Sequence, residues 1–451
     1  MNQLDLFIDR VLSAAKAAGI DPAEVRCSES SDFSAEAMEG SIDSYEVSNT
    51  RSMSLRGVYN GRMGGASTEV FDEDAIAMLV RGVQESASLV ESKEQDEIFP
   101  GEKEYPSLEI PQNDLDAVSA EEKLAFCLEM EKAATAIDPR VSKSMGAYVS
   151  TSVGASRLAN SYGLRLSRQV PPGGMAMAGV YLMGRDGEST ATDGEMKTGR
   201  QFHAFDPVEI GRSAAENTLA RLNASPVSTG VYRTVLRWDA MRSLLATFAG
   251  IFSAESAQQK LSLLAGREGE VIAAPCVTLI DDPLLPGGVA STPYDAEGSA
   301  ARTKAVIEDG TLKTLLHNRK TARKQGVETT GNASGGATGP VHVSPTNLFL
   351  KPGVKSLPEL LEQLDDGLLI TELSGLHAGA NPISGDFSLI AKGFLVVNGR
   401  QDRPVEQITV AGNFYQLLKD IRDVGADLEF RGRAIGCPSV DVGTLPVSGA
   451  K

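Results

Sequence analysis

The chain has 451 residues, 41% of them hydrophobic, enough for two or three domains with separate cores. Its 60 acidic and 43 basic residues leave a formal charge of -17, which excludes a broad electrostatic grip on nucleic acid, since that requires clustered Lys and Arg. Cys27, Cys127, Cys276 and Cys437 are scattered without CxxC spacing, which fits a reducing, cytoplasmic compartment and excludes a cysteine-rich zinc knuckle.

The first segment carries Asp5, Asp9 and Arg10 inside its apolar pattern and reads as neither a signal peptide nor a membrane span. Phe7, Ile8, Val11, Leu12 and Ala15 recur at helical spacing, with Gly19 as the C-cap. Residues 24–70 alternate in short runs around an Asn60-Gly61 turn and predict an antiparallel meander. Asp72 then caps a helix whose face is Ile76, Leu79, Val80, Val83, Ala87 and Val90.

Residues 93–117, rich in Glu, Asp and Pro, have little to bury and read as a long surface connection. After them the pattern repeats. Ser119 and Glu122 form a capping box, strand-like runs follow over 141–203 with a turn at Asp186-Gly187, and Asp206, Pro207 and Glu209 open a closing helix. The expected fold class is α+β: residues 1–223 form an N-terminal antiparallel sheet with flanking helices, built by internal duplication.

Past a linker at 223–230, Gly and Pro punctuate short apolar runs, so residues 231–451 are expected to form a mostly β C-terminal domain with a few helices. Hairpins are predicted at Asp309-Gly310 and Asn398-Gly399, and helices over 238–250, 253–264 and 413–422.

Chemistry is harder to find. A zincin needs two imidazoles on one helix face and an activating carboxylate, yet His203, His317, His342 and His377 lie far apart and no HExxH can be written. No GxSxG nucleophile turn occurs. The tract Gly331–Gly339 lacks a phosphate-loop ending and reads as a flexible surface loop, while each lone Cys reads as a small buried residue. Three tracts are dense in polar groups: Asp281-Asp282-Pro283, Asp295-Ala296-Glu297-Gly298, and Glu372 through Ser388. The last offers Glu372, His377, Asn381 and Asp386 as cleft-lining residues; taken alone, each of the three tracts is better explained by turn and capping chemistry.

These tracts also carry a resemblance that covers nearly the whole chain. LRGVYNGRMGGAST, LANSYGLRLS, DDPLLPGG, PYDAEGSAARTKAVIEDG, NLFLKPG, NPISGDFSLIAKGFLVVNGR and CPSVDVGTLPVSG resemble the TldD/PmbA family, also called modulators of DNA gyrase. Its active TldD branch carries an HExxxH helix after the first strand of the C-terminal domain. The corresponding stretch here is Leu244–Ile251, which puts Ala246 and Ile251 where the histidines belong and Thr247 where the glutamate belongs. Cys437 precedes the proline of the closing motif and does not restore a ligand set. The resemblance therefore implies the TldE/PmbA branch: a cytosolic subunit without catalytic residues or a metal of its own, with zinc in a TldD-like partner.

The implied assembly is a heterodimer with TldD, with a homodimer left open for the isolated chain. It would act on unfolded or small peptides, including antitoxins and the leaders of peptide antibiotics, without direct nucleic-acid or membrane contact. Exposed sheet edges of the β-rich domain would hold extended peptides by strand addition. Two alternatives remain at this point: a peptidase with its own site around His377, and a stand-alone binding protein that modulates DNA gyrase.

Overall fold

The structure, a computed structural model, describes residues 3–91, 97–335 and 340–450. The N-terminal unit comprises α1 (Gln3–Ala17), β1 (Ala23–Met38), β2 (Ser41–Tyr59), β3 (Arg62–Thr68) and α2 (Glu73–Leu89). These are followed by α3 (Ala120–Ala136), β4 (Val141–Asn160), β5 (Arg165–Gln169), β6 (Met175–Asp186), β7 (Ser189–Gly199) and α4 (Pro207–Leu219). All seven strands form one antiparallel sheet in the order β3-β2-β1-β4-β6-β7, with β5 paired to β4. The order mirrors itself about the β1–β4 pair, as a duplicated helix–meander–helix unit requires.

The helix starts follow from local chemistry. Asp72 accepts from the Ala75 N–H at 2.8 Å, Ser119 and Glu122 close a capping box, and Asp206 accepts from Val208 and Glu209 ahead of Pro207. Val90 sits at the C-cap of α2 instead of on its buried face. Because side chains alternate along a strand, the odd-numbered Val25 and Cys27 of β1 pack under α1 and α2. The even-numbered Glu24 and Arg26 face the opposite way.

The C-terminal unit contributes β8 (Gly230–Leu236), α5 (Trp238–Phe248), α6 (Ala254–Gln258), β9 (Leu279–Asp281), β10 (Lys304–Glu308), β11 (Thr311–Leu312) and α7 (Arg319–Gln325). Then come β12 (Ala333–Gly335), β13 (Val341–Val343), β14 (Leu348–Leu350), α8 (Leu357–Leu364), β15 (Gly367–Ser374), α9 (Leu376–Gly379) and β16 (Asp386–Val397). The chain ends with β17 (Arg400–Asn413), α10 (Phe414–Asp420), β18 (Asp423–Val424), β19 (Ile435–Gly436) and β20 (Val440–Ser448). Strands β17-β16-β15-β8-β20 pair in sequence, and β17 also pairs with β20 through Thr409↔Ser448 and Val410↔Val447. The sheet thus closes into a five-strand ring around Leu368, Ile370, Leu389, Val410 and Val442, with α5 packed on the same core.

Closure joins β17 to β20 at only two residue pairs, and the second sheet of this unit, in the order β11-β10-β9-β14-β19, keeps β11 and β19 as edge strands, so edges able to take up a peptide strand persist outside the ring. Several expectations change. The helix predicted over 253–264 stops at Gln258: Lys260 adopts φ 63° and the Leu261 N–H donates to Ser256 O at 2.8 Å, a left-handed helix stop. The helix predicted to 250 ends at Phe248 and passes into a 3-10 turn, Ala249–Phe252. Of the connection over 93–117, residues 93–96 lie outside the described residues; the following stretch is anchored, not loose. Ile98 and Phe99 are buried, Arg319 lies over the Phe99 ring at 3.7 Å, and the Tyr105 hydroxyl donates to Gly298 O at 2.8 Å.

Candidate functional site in the interdomain cleft

The sheet face opposite the helices meets the C-terminal unit at a cleft of about 420 Å³, lined among others by Arg26, Ser28, Arg168, Tyr294, Asp295 and Ser334. From the sheet side, the Glu24 carboxylate is fully buried and its Oε1 accepts from Nε of Arg26 at 2.9 Å and Nε of Arg56 at 2.8 Å. Arg26 also donates to Gly335 O across the cleft. On β5, Arg168 donates to Thr292 Oγ1 and, at 2.8 Å, to Tyr294 O, and its guanidinium lies 5.0 Å over the Tyr294 ring. Burial lowers the pKa of both arginines from the usual value, and the charge of Glu24 partly restores that of Arg26.

The facing wall is the turn Tyr294–Ser299. Asp295 Oδ1 accepts the N–H groups of Glu297 and Ser299, and its Oδ2 accepts that of Ala333. Glu297 Oε2 accepts the Arg319 N–H at 2.8 Å. Burial raises the Asp295 carboxyl above the usual range and pushes Glu297 up to about 7, with the neighbouring Asp295 charge adding to the second shift. Behind them Asp281, also fully buried, accepts from Asn332, from the Thr346 N–H and from Lys304. The polar tract at 295–298 is therefore turn chemistry that also lines the cleft through Asp295 and Ala296, whereas Asp281 supports the wall from behind.

Asn332 corrects the flexible-loop reading of Gly331–Gly339. Its side chain is buried, donating to Asp281 and to Ser344 O, and the next three residues form β12. Residues 336–339 of that tract lie outside the described residues.

The 372–388 tract resolves into local contacts. Glu372 accepts from Ser374 and pairs loosely with Lys392 at 3.6 Å; Asn381 Oδ1 caps the N–H groups of Ile383 and Ser384; Asp386 accepts from Asn413 Nδ2 at 2.8 Å. His377 is exposed on the four-residue α9. None of the four lines the cleft above.

The histidines occupy four separate places. His203 is exposed beside Asp114 at 2.8 Å, and His317 is buried against Thr321 with burial lowering its pKa. His342 is exposed on β13. Among the described residues, no three His, Cys, Asp or Glu side chains gather as a metal site. A zinc ion does not fit at α5: Ala246 is exposed and offers no ligand, the Thr247 hydroxyl donates to Ser243 O at 2.9 Å, and Ile251 is 1% exposed within the core. Cys27, Cys127 and Cys437 are buried as expected, but Cys276 is exposed. Burial pushes the thiol of Cys27, which borders the cleft, up to about 11, so it stays protonated and is not a nucleophile at neutral pH.

Sequence reasoning missed Glu24, Arg26, Arg56 and Arg168. The available signal was the Glu24-x-Arg26 spacing on a predicted strand, which puts opposite charges on one sheet face.

Comparison with known proteins places this arrangement. Family models for the PmbA/TldA metallopeptidase match three stretches: domain 1 over residues 23–87, the central domain over 113–222 and the C-terminal domain over 229–449. The chain belongs to the PmbA/TldD metallopeptidase family, in its TldE/PmbA branch. It is 28% identical over 434 residues to a metalloprotease PmbA homolog of Haemophilus influenzae, covering 95% of this chain and 92% of that one. It is 31% identical over 404 residues to an uncharacterized Methanocaldococcus jannaschii protein, covering 89% and 90%. Among solved structures, a "putative modulator of a DNA gyrase" from Thermotoga maritima matches with TM-score 0.90 at 33% identity, over 99% of this chain and 100% of that one. TldE from Thermococcus kodakarensis shares the fold at TM-score 0.89 and 22% identity, over 98% and 100%.

Proposed function

We propose that this chain is the TldE/PmbA-like subunit of a cytosolic metallopeptidase complex. It holds and encloses unfolded or small peptides, such as antitoxins or peptide-antibiotic leaders, while a TldD-like partner supplies zinc and cuts. The observation that carries this reading is α5: Ala246 and Thr247 cannot ligate zinc or polarise water, and Ile251 is committed to the core. The family's metallopeptidase description and the PmbA names of the relatives support the wider activity. No described helix is long and apolar enough to cross a membrane.

In this reading the interdomain cleft contributes binding. Arg26 and Arg168 offer guanidinium donors, and Ser28 and Ser334 add hydroxyls, so a peptide backbone and its polar side chains find partners without a nucleophile being present. The His377 alternative loses support, since that side chain has no carboxylate or nucleophile bonded to it among the described residues.

The test is peptide cleavage by this chain, by a TldD-like partner and by the mixture, each with and without a zinc chelator. Activity confined to the mixture and abolished by chelation supports the reading. Chelator-sensitive cleavage by this chain alone overturns it, and co-purification with gyrase in cells lacking the partner would favour the gyrase-binding alternative.

A further inference from the structure

A second cleft, of about 460 Å³, lies between β7 of the N-terminal sheet and the start of α5. Its centre is Trp238, the single tryptophan of the chain. The guanidinium carbons of Arg431, Arg242 and Arg237 lie 5.0, 5.5 and 5.8 Å from the Trp238 ring centroid. Arg221 and Arg433 complete a lining of five arginines against three carboxylates, in a chain whose net charge is -17.

Those carboxylates are already engaged. Asp193 pairs with Arg221 at 2.9 Å, Asp239 accepts from Arg237 Nε at 3.0 Å, and Glu195 pairs with Arg431 at 2.6 Å. Arg242 is left with only a backbone carbonyl, Phe430 O at 3.1 Å. Arg433 is exposed and engages no carboxylate among the described residues, and Nη1 of Arg221 is buried with no partner among them. Burial, and then the charge of Arg433, makes the cationic form of Arg242 harder to hold. Arg242, Arg433 and a spare donor of Arg221 therefore line one cavity; neither Arg242 nor Arg433 has a carboxylate bonded to it among the described residues, although the charge of Asp239 acts on Arg242.

The rim is held in a constrained shape. Arg431 adopts φ 48° beside Gly432 at φ 68°, a left-handed pair costly for a side-chain-bearing residue. Arg431 also donates to Met196 O at 3.1 Å on the edge strand β7, which locks the loop to the sheet. A Cβ on Gly432 would lie 2.8 Å from Thr198 Cγ2, so the close approach of this loop to β7 admits no side chain at that position.

We propose that the Trp238 cleft is a binding site for an oxyanion, a carboxylate or a phosphate group, held between Arg242 and Arg433. Guanidinium groups match either anion with paired, charge-assisted hydrogen bonds, and an anion there relieves the repulsion between the two arginines. This site is distinct from the interdomain cleft above and does not depend on how that cleft is used.

Trp238 supplies the readout, since all tryptophan fluorescence of the chain arises within the cleft. Inorganic phosphate and an amidated tri-glutamate peptide are titrated separately at constant ionic strength, into the wild-type chain, Arg433→Gln and Arg242→Gln. The expected result is a saturable fluorescence change with at least one probe, and a rise in Kd of about tenfold or more in either variant. Saturation by phosphate alone identifies a phosphate site, and saturation by the peptide alone a carboxylate site. A change reproduced by potassium chloride, no saturable change with either probe, or an unaltered Kd in Arg433→Gln, whose exposed position leaves folding intact, overturns the proposal.

Discussion

Nζ of Lys304 lies 2.9 Å from Oδ2 of Asp281, and the Asp281 side chain is wholly buried. The pair joins β9 to β10 and fixes the carboxylate that also receives Asn332 and Thr346. Removing the cation leaves a buried charge with only neutral donors. Lys304→Met is expected to destabilise the chain by about 3–5 kcal/mol, whereas Asp281→Asn with Lys304→Met together costs less than Lys304→Met alone. Urea unfolding of the three proteins measures both numbers.

Glu297 supplies a pH dependence. Its folded pKa is about 7, against an ordinary value of 4.5. Above pH 4.5 the unfolded chain releases this proton while the folded chain retains it, so the contribution of Glu297 to stability falls as pH rises to about 7 and is level beyond. The drop amounts to about 3 kcal/mol. Glu297→Gln keeps an acceptor for the Arg319 N–H and should flatten this part of the profile. Melting temperatures of both proteins across pH 5–8 give the comparison, and parallel profiles would show that Glu297 is not the source.

Rebuilding the metal motif should fail for a packing reason. Ile251 lies among Leu244, Leu245 and Phe252 in the main core, so Ile251→His buries an unpartnered polar ring and leaves apolar volume unfilled. A loss of about 2–5 kcal/mol is expected. With Ala246→His and Thr247→Glu added, zinc should still not raise the melting temperature; a chelator-reversible increase would mean that α5 can present both positions to one ion.

Phe99 ties the connection between the two halves of the N-terminal unit onto α7. Phe99→Ala should cost about 2–4 kcal/mol and expose residues 97–105 to protease well below global unfolding. Arg319, which lies over the ring and also meets Glu97 at 3.0 Å, loses its platform in this variant. A cleavage pattern identical to wild type would show that the Glu97 and Tyr105 contacts suffice.

The sequence by itself determined what local chemistry controls. Asp72, Ser119 and Asp206 start helices because a short side chain caps free N–H groups whatever lies around it. Asn60-Gly61 and Asn398-Gly399 turn because both residues of each pair accept positive φ. The repeat was legible for the same reason, since each copy carries its own caps and turns. The absence of paired histidines was equally plain.

Tertiary structure decided everything that depends on contacts between distant segments. Ring closure rests on Thr409 meeting Ser448, and no local pattern at either residue announces the other. Arg26 and Arg168 become site residues only because β1 and β5 present them to a turn more than a hundred residues away. Residues 331–335, glycine-rich and by composition a loose loop, are ordered by the bonds of Asn332 to Asp281 on β9 and to Ser344 O and by the pairing of β12 with β13. Burial also sets the charge states: Glu297 and Cys27 look ordinary in sequence, and only the loss of water around them shifts their protons.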